Sequence, residues 1–313
     1  MFSLLSYGEV LVDFLPTDQG GNFYPMAGGA PANVAVAFAK LGGKSFFAGG
    51  ISNDNFGTML FQELEKNNVN IKYVYRAEQA NTALVLVSLD SAGERTFNFY
   101  RHDTADTQYE KTQIDKIHWQ DIGLFHFCSN TLTNTSMHTN TLYAVKKAKL
   151  NNALVSFDVN LRQQLWSELN LLPERVHDGL KRSDLVKLSK DEALYLAAQA
   201  DQSYQEYINS LIDLGIKLII ITDGANRVQV ISSAFSSYIN VPVIKAVDTT
   251  AAGDSFIASF IFSLTEQTQS SALTHTLNEL DKVTNAVLFA AKCGAYTCQK
   301  KGAFAALPFI DNV

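Results

Sequence analysis

The chain has 313 residues, of which 47% are hydrophobic, and it carries a net charge of −6. This length and composition are sufficient for one large α/β domain or for two small domains. Because the net charge is negative and no strong basic run occurs, the composition argues against nucleic acid as a partner.

The cysteines and the N-terminus indicate the compartment. Cys128, Cys293 and Cys298 form no C-x-x-C motif, which is typical of reduced thiols in a cytosol. His126 lies near Cys128, but no second ligand pair follows at metal-site spacing, so both are interpreted as strand residues. No apolar run reaches membrane-spanning length, and the N-terminus lacks the features of a signal peptide. We therefore expect a cytoplasmic protein with no membrane partner.

Extended patterns alternate with helical patterns along most of the chain. This alternation predicts a mostly parallel sheet with helices on both faces. The extended patterns cover 3–7, 45–49, 123–128, 153–158, 184–188, 217–222, 228–232 and 238–247. The helical patterns cover 31–41, 56–67, 135–150, 173–181, 190–199, 203–214, 253–265 and 275–295.

Two segments depart from this alternation. Residues 81–101 have the pattern of a β-hairpin with a short loop, and residues 10–25 look extended and could join it. An antiparallel insertion in a parallel α/β chain is a candidate lid. Its apolar run Ala83–Val87 would need a cover, so we expect it also to contribute to a homodimer.

The small residues Ala251, Ala252 and Gly253 lie between an extended run and a helical one. Such a loop presents free N–H groups at a helix N-terminus and is a good anion site. The next residue, Asp254, has two interpretations. It accepts a hydroxyl proton during phosphoryl transfer, or it only stabilises the helix dipole.

A second group of polar and small residues lies in the N-terminal part. Asp13 follows the first strand, at the sheet edge where open α/β folds bind ligands. Gly28 and Gly29 let the following helix approach a ligand closely, and Asn33 in its first turn can both donate to and accept from a hydroxyl. The alternatives are a turn role for Asp13 and a capping role for Asn33.

Two stretches, GGAPANVAVAFAKLG (28–42) and DTTAAGDSF (248–256), resemble the signatures of the ribokinase family of sugar kinases. The resemblance runs from about residue 5 to Pro308. It implies one domain over residues 1–313, a three-layer α/β/α sandwich with a mostly parallel central sheet and a small β-lid. The family form is D-T-x-G-A-G-D, so Ala251 replaces a usual glycine, which implies a backbone conformation there that is not restricted to glycine.

Within the family, GEVLVDF (8–14), the stretch from Thr96 to Asp106 and DVNLRQQLW (158–166) resemble fructokinases. The resemblance implies a sugar site that includes Arg101 and Arg162 as donors and Phe99 as a wall, although sheet packing explains Phe99 equally well. The complete implied sugar site is Asp13, Gly28, Gly29, Asn33, Phe99, Arg101 and Arg162.

The resemblance also implies a nucleotide site. Ser189 and Glu192 match the family's N-x-x-E motif, with serine in place of asparagine, and without the family they would be a capping box. The implied cofactors are ATP, Mg²⁺ and, at Asp248 and Thr250, K⁺. The implied nucleotide residues are Lys187, Ser189, Glu192, Thr222, Gly224 and Asn285.

Together these features lead to the expectation of an ATP-dependent kinase that converts D-fructose to fructose 6-phosphate. Asp254 would take the hydroxyl proton, and the N–H groups of Ala251, Ala252 and Gly253 would hold the phosphoryl group. The alternatives are a related kinase for 2-keto-3-deoxygluconate, ribose or a nucleoside, and a sugar-binding regulator without catalysis.

Overall fold

The computed structural model describes residues 2–17, 21–89, 95–268 and 273–313. The strands are β1 (Ser3–Tyr7), β2 (Leu11–Pro16), β3 (Phe23–Gly28), β4 (Lys44–Ser52), β5 (Asn70–Ala77), β6 (Leu84–Leu89), β7 (Arg95–Tyr100), β8 (Leu124–Cys128), β9 (Leu154–Asp158), β10 (Leu185–Ser189), β11 (Leu218–Thr222), β12 (Val228–Ile231) and β13 (Ser236–Ile239). The helices are α1 (Ala30–Lys40), α2 (Asn55–Lys66), α3 (Lys111–Ile114), α4 (Thr135–Leu150), α5 (Leu172–Leu180), α6 (Lys190–Gln199), α7 (Tyr204–Asp213), α8 (Ala252–Glu266), α9 (Leu273–Thr276) and α10 (Leu280–Cys298).

A nine-stranded sheet with the order β13-β12-β11-β10-β9-β8-β1-β4-β5 lies at the centre of the described residues. From β11 to β5 the neighbours are parallel, and β12 and β13 add an antiparallel edge. Apart from the two outer strands, β5 and β13, its strands are largely buried on both faces, as is typical of parallel sheets. Leu4 packs in the core with α1, α8 and α10, whereas the adjacent Leu5 packs with α4 to α7. The predicted α/β fold with helices on both faces is confirmed.

A second sheet of four strands, in the order β3-β2-β6-β7, forms the lid. β2 pairs antiparallel with β3 and parallel with β6, and β6 pairs antiparallel with β7 so that Val85 lies opposite Phe99. The predicted hairpin and its partner segment are therefore present, although the hairpin's loop, 90–94, lies outside the described residues. Only the three residues 8–10 separate β1 of the central sheet from β2 of the lid.

Two expectations about individual elements were wrong, and one strand was missed. The extended run at 238–247 forms a strand only to Ile239, because Pro242 cannot donate to a ladder and Val243 is exposed. The long helix expected at 275–295 begins at Leu280, after the separate helix α9. Strand β5 was missed; it lies at the sheet edge, pairs only with β4 and buries only Tyr73 and Ala77, so it lacks the continuous apolar run of the inner strands.

No helix in the described ranges combines the length and the apolar character needed to cross a lipid bilayer. The organisation as a single domain over residues 1–313 stays a prediction.

Candidate active site

A cavity of about 820 Å³ lies between the central sheet and the lid, and both sheets line it. Leu11, Asp13, Val85, Phe97 and Phe99 come from the lid strands. Asn130, Asp158 and Lys187 lie in or just after β8, β9 and β10, toward the carboxyl ends of parallel strands. Ligands of open α/β sheets bind at this edge. The other lining residues are Glu9, Gly29, Ala30, Asn33, Asn160, Leu161, Arg162, Gln164, Ala246, Val247, Asp248, Thr249, Thr250, Ala251, Gly253 and Asp254.

Asp254 and Asn33 meet in this cavity from the first turns of α8 and α1. The Asn33 side-chain amide donates a 2.7 Å hydrogen bond to Asp254 Oδ2. Only 8% of Asp254 is exposed, and this burial raises its pKa, while the Asn33 bond and the nearby Lys187 and Arg162 act in the opposite sense. A carboxylate with a raised pKa is better matched to accepting a proton near neutral pH.

The loop before Asp254 provides two N–H groups for an anion. Ala252 N–H already donates to Thr249 O at 3.2 Å, whereas Ala251 and Gly253 N–H have no partner among the described residues. Ala251 has φ 59° and ψ 7°, in the left-handed region that favours glycine. The expectation that alanine avoids such a conformation was therefore wrong, at a cost of roughly 1–2 kcal/mol.

Lys187 lies against this loop. Its Nζ donates to both carboxylate oxygens of Asp158, at 2.9 and 2.8 Å, and both side chains are buried. A Cβ placed on Gly253 would lie 3.2 Å from Lys187 Nζ, so glycine allows the ammonium group to approach the backbone. Burial lowers the pKa of Lys187, but Asp158, Glu192 and Asp254 together outweigh this, so the net effect raises the pKa and the group stays charged.

Two glycines shape the cavity wall near Asp13 and Glu9. A Cβ on Gly28 would lie 2.2 Å from Asp13 Oδ2, so a side chain there would displace the carboxylate. Gly29 has φ 107°, and its Cβ would lie 2.7 Å from Glu9 O. Both positions therefore require glycine for the close packing of lid, loop and helix.

The predicted arginines have different positions. Arg162 is exposed and lines the cavity, and its Nη1 donates to its neighbour Leu161 O. Arg101 instead has a buried side chain, which pairs with Asp106 at 2.5 Å and donates to Asn130 O at 3.2 and 3.3 Å. The cavity wall at this place is Asn130 and not Arg101.

A separate apolar slot of about 300 Å³ adjoins the cavity and shares Gly253 with it. Thr222 and Gly224, which were predicted to bind nucleotide, line it together with small residues of α10 such as Ala291 and Gly294. Asn285 is exposed and lies six residues before Ala291, roughly 9 Å along the axis at about 1.5 Å per residue. The structure therefore does not bring Asn285 to this slot.

Glu192 and Ser189 form the capping box of α6. Glu192 Oε2 accepts from Ser189 N–H at 2.8 Å, and Glu192 N–H donates to Ser189 Oγ at 3.1 Å. The other carboxylate oxygen, Oε1, accepts from Leu161 N–H at 2.7 Å. Glu192 thus ties the start of α6 to the loop that carries Arg162.

Asp248 connects two loops below the site. Its Oδ1 accepts from Thr250 N–H at 2.8 Å and its Oδ2 from Gly302 N–H at 3.0 Å, and it is almost fully buried. Within the described ranges, no group of three His, Cys, Asp or Glu side chains could hold a metal ion.

Several lining residues were missed by sequence reasoning. Glu9, Asn130, Asn160 and Gln164 line the cavity, and Ala291, Gly294 and Cys298 line the slot. Glu9 and Asn130 carried a usable signal, since each follows the end of a buried strand. The slot residues carried none, because small residues on an apolar helix are typical of ordinary helix packing.

Comparison with known proteins agrees with this geometry. The fructokinase-2 of Oryza sativa subsp. japonica is 36% identical over 313 residues, which cover 98% of this chain and 91% of the relative. A fructokinase from Xylella fastidiosa with bound ATP superposes with a TM-score of 0.95 at 33% identity, over 99% of this chain and 96% of that one. A double mutant of the Vibrio cholerae O395 fructokinase, with fructose, ADP and potassium ion bound, gives a TM-score of 0.89 at 32% identity, covering 98% and 96%. Residues 1–310 match the profile of the pfkB family carbohydrate kinases, and the chain belongs to that family.

Proposed function

We propose that this protein transfers the γ-phosphoryl group of ATP to the 6-hydroxyl of D-fructose. The observation that carries the proposal is the buried Asp254 carboxylate, which Asn33 holds beside the free N–H groups of Ala251 and Gly253. A proton acceptor next to an anion site is what phosphoryl transfer to an alcohol requires. The fructokinase relatives support fructose as the acceptor.

In the proposed reaction, the Asp254 carboxylate takes the proton of the sugar hydroxyl. The hydroxyl oxygen forms the new bond to the γ-phosphorus, and the bond to the bridging oxygen breaks with its electron pair going to ADP. The N–H groups of Ala251 and Gly253, the N-terminus of α8 and the Lys187 ammonium group stabilise the negative charge of the transferring group.

The sugar would bind in the larger cavity and the adenine in the apolar slot. Asp13 would accept hydrogen bonds from sugar hydroxyls, Asn33 would both accept from and donate to them, and Phe99 would provide an apolar wall. Because Gly253 lines both spaces, the phosphates of a nucleotide in the slot would reach Asp254. Closure of the lid would exclude water and suppress hydrolysis of ATP.

We also propose Mg²⁺ and K⁺ as the metal ions. Magnesium typically binds to substrate phosphates and keeps several waters, which fits a chain whose Glu192 already accepts two backbone N–H groups. When bound, Mg²⁺ would neutralise phosphate charge. For K⁺, the loop that Asp248 fastens to Gly302 would provide backbone carbonyl ligands, and the potassium-bound relative supports this assignment.

The test is a coupled ADP-release assay with D-fructose, 2-keto-3-deoxygluconate, ribose and a set of nucleosides. We expect the highest kcat/KM with fructose and a product phosphorylated on a terminal hydroxyl. A clear preference for another acceptor would overturn the choice of fructose. Binding of sugar and ATP without any ADP release would instead indicate a regulator without catalysis.

A further inference from the structure

Three buried polar atoms in the cavity wall have no hydrogen-bond partner among the described residues. They are Glu9 Oε2, Asn33 Oδ1 and Asn130 Oδ1. Their residues are only 2, 4 and 5% exposed, and all three line the same cavity. A buried polar atom without a hydrogen-bond partner costs free energy, so such atoms are rare in proteins unless a ligand or water forms the missing hydrogen bond.

All three unpaired atoms are acceptors. The amide of Asn33 donates through Nδ2 to Asp254, and the amide of Asn130 donates through Nδ2 to Glu9 Oε1 at 2.9 Å. Because a carboxylate only accepts hydrogen bonds, these partners determine which way each amide is turned. The matching ligand therefore carries several donors in one small volume, as a polyol does.

Glu9 differs from the other two because it is charged. The Arg101 guanidinium group, whose closer partner is Asp106, also attracts Glu9, and it holds the Asn130 backbone carbonyl. Burial raises the pKa of Glu9, whereas Arg101 and Asn130 act in the opposite sense. One Glu9 oxygen is thus held by Asn130, and the second has no hydrogen-bond partner among the described residues.

We propose that Glu9 is a sugar-recognition residue, whose Oε2 accepts a hydrogen bond from a substrate hydroxyl other than the one that is phosphorylated. Arg101 is then a positioning residue, which fixes Asn130 and through it Glu9. The inference rests on the proposed sugar-kinase function, and it adds to that function a charged hydroxyl subsite between the central sheet and the lid.

The test is Glu9→Gln, measured with fructose and its monodeoxy analogues. We expect the KM for fructose to rise roughly 10- to 100-fold, as for a lost hydrogen bond to a charged group, with the KM for ATP unchanged. In the wild type, one deoxy analogue should show a similar loss in kcat/KM. That analogue and fructose should become nearly equal substrates of the variant.

Thermal unfolding separates recognition from a structural role. Glu9→Gln removes a buried charge with an unpaired oxygen but keeps the Asn130 bond, so we expect an equal or higher Tm without sugar. The matched control is Asp178→Asn, whose Oδ1 pairs with Lys181 and Arg182 far from the cavity. It should lower the Tm and leave the KM for fructose unchanged.

Two results would overturn the proposal. One is a Glu9→Gln variant that has the wild-type KM for fructose and the same relative kcat/KM values for the monodeoxy analogues as the wild type. The other is a variant with a lowered Tm and proportional losses on every sugar. If the wild type itself neither binds nor phosphorylates fructose, the proposed function fails, and the same comparison is made with the sugar that gave turnover.

Discussion

Asp254 and Asn33 lie 221 residues apart in the chain, yet each occupies the first turn of its helix and they share one hydrogen bond. The two helix N-termini explain the position of Asp254, because the dipoles of both helices favour a negative charge there. Asp254 is therefore placed where a carboxylate is tolerated in a buried site and where the transferring phosphoryl group is also stabilised. A helix-dipole role and a proton-acceptor role are compatible for this residue.

Substitution of Asp254 separates these two roles. We expect Asp254→Asn to reduce kcat by roughly 10²–10⁴-fold, because the amide cannot accept the proton. Burial raises the pKa of Asp254, so its charged form opposes folding at neutral pH, and the Tm should hold or rise. The measurements are turnover, equilibrium binding of fructose and thermal unfolding in the same variant.

The control for this variant is Asp281→Asn, in the first turn of α10, which should keep full turnover. Near-normal turnover of Asp254→Asn would refute the assignment of the base.

The pH profile provides an independent measure of Asp254. The base must be ionised to act, so a raised pKa should move the acid limb of kcat/KM above the ordinary aspartate range. The Asn33 hydrogen bond opposes this rise, and Asn33→Ala should therefore move the limb to still higher pH. An acid limb in the same place in both proteins would contradict the assignment.

At the scale of elements, Glu192 joins the N-terminus of α6 to the loop that follows β9, residues 159–162. Its carboxylate accepts from Ser189 N–H and Leu161 N–H, while Arg162 of the same loop lines the sugar cavity. A residue that the family resemblance predicts on the nucleotide side is thus also bonded to the loop that lines the proposed sugar side. Both substrates should respond to its loss.

For Glu192→Gln we expect a several-fold increase in the KM for fructose as well as for ATP. Glutamine keeps one acceptor oxygen and places an NH₂ group against a backbone N–H, which costs about 1 kcal/mol at a helix cap. Glu206→Gln is the matched control, since Glu206 forms the same capping box at Ser203 of α7. If both variants show the same kinetics, the bonds from Glu192 to Ser189 and Leu161 have no effect on the proposed sugar site.

The sequence predicted elements better than contacts, and the reasons differ from one element to another. Helix α4 was predicted to the residue at both ends, because Asn134 caps it and its C-terminal end is marked by Asn151-Asn152. Arg101 could not be placed from the sequence, because it follows β7 directly and its spacing from Phe99 does not reveal that Asp106 lies close enough to pair with it. Asn285 was carried over by resemblance alone, and only the direction of α10 shows its distance from the slot.

At the scale of the molecule, the lid is an exposed sheet with apolar edges. Tyr100 and Phe97 on β7 and Phe23 and Tyr24 on β3 are all more than a third exposed, with Tyr100 at 60%. Both strands are edges of their sheet among the described residues. Edge strands with exposed aromatic side chains favour pairing with another chain.

We therefore expect a homodimer that forms through the lid, and protection of the β6 and β7 amides when fructose and a nucleotide analogue bind together. Light scattering measures the mass, and hydrogen exchange followed by mass spectrometry measures the protection. A monomer whose β6 and β7 amides exchange equally with and without both ligands would contradict both parts.

The short connection at 8–10 has a consequence for how the two substrates influence each other. A sugar in the cavity would contact the lid and the central sheet at once, whereas the nucleotide slot is lined from β11 onward and does not include the lid strands. Fructose would thus bias the lid position, and nucleotide would respond to it only through Gly253 and its neighbours. By thermodynamic linkage, if bound fructose raises the affinity for nucleotide by some factor, bound nucleotide raises the affinity for fructose by the same factor. Cooperativity between the two substrates would thus be an equilibrium property of the chain, and the short connection at 8–10 would be one of the links that transmit it.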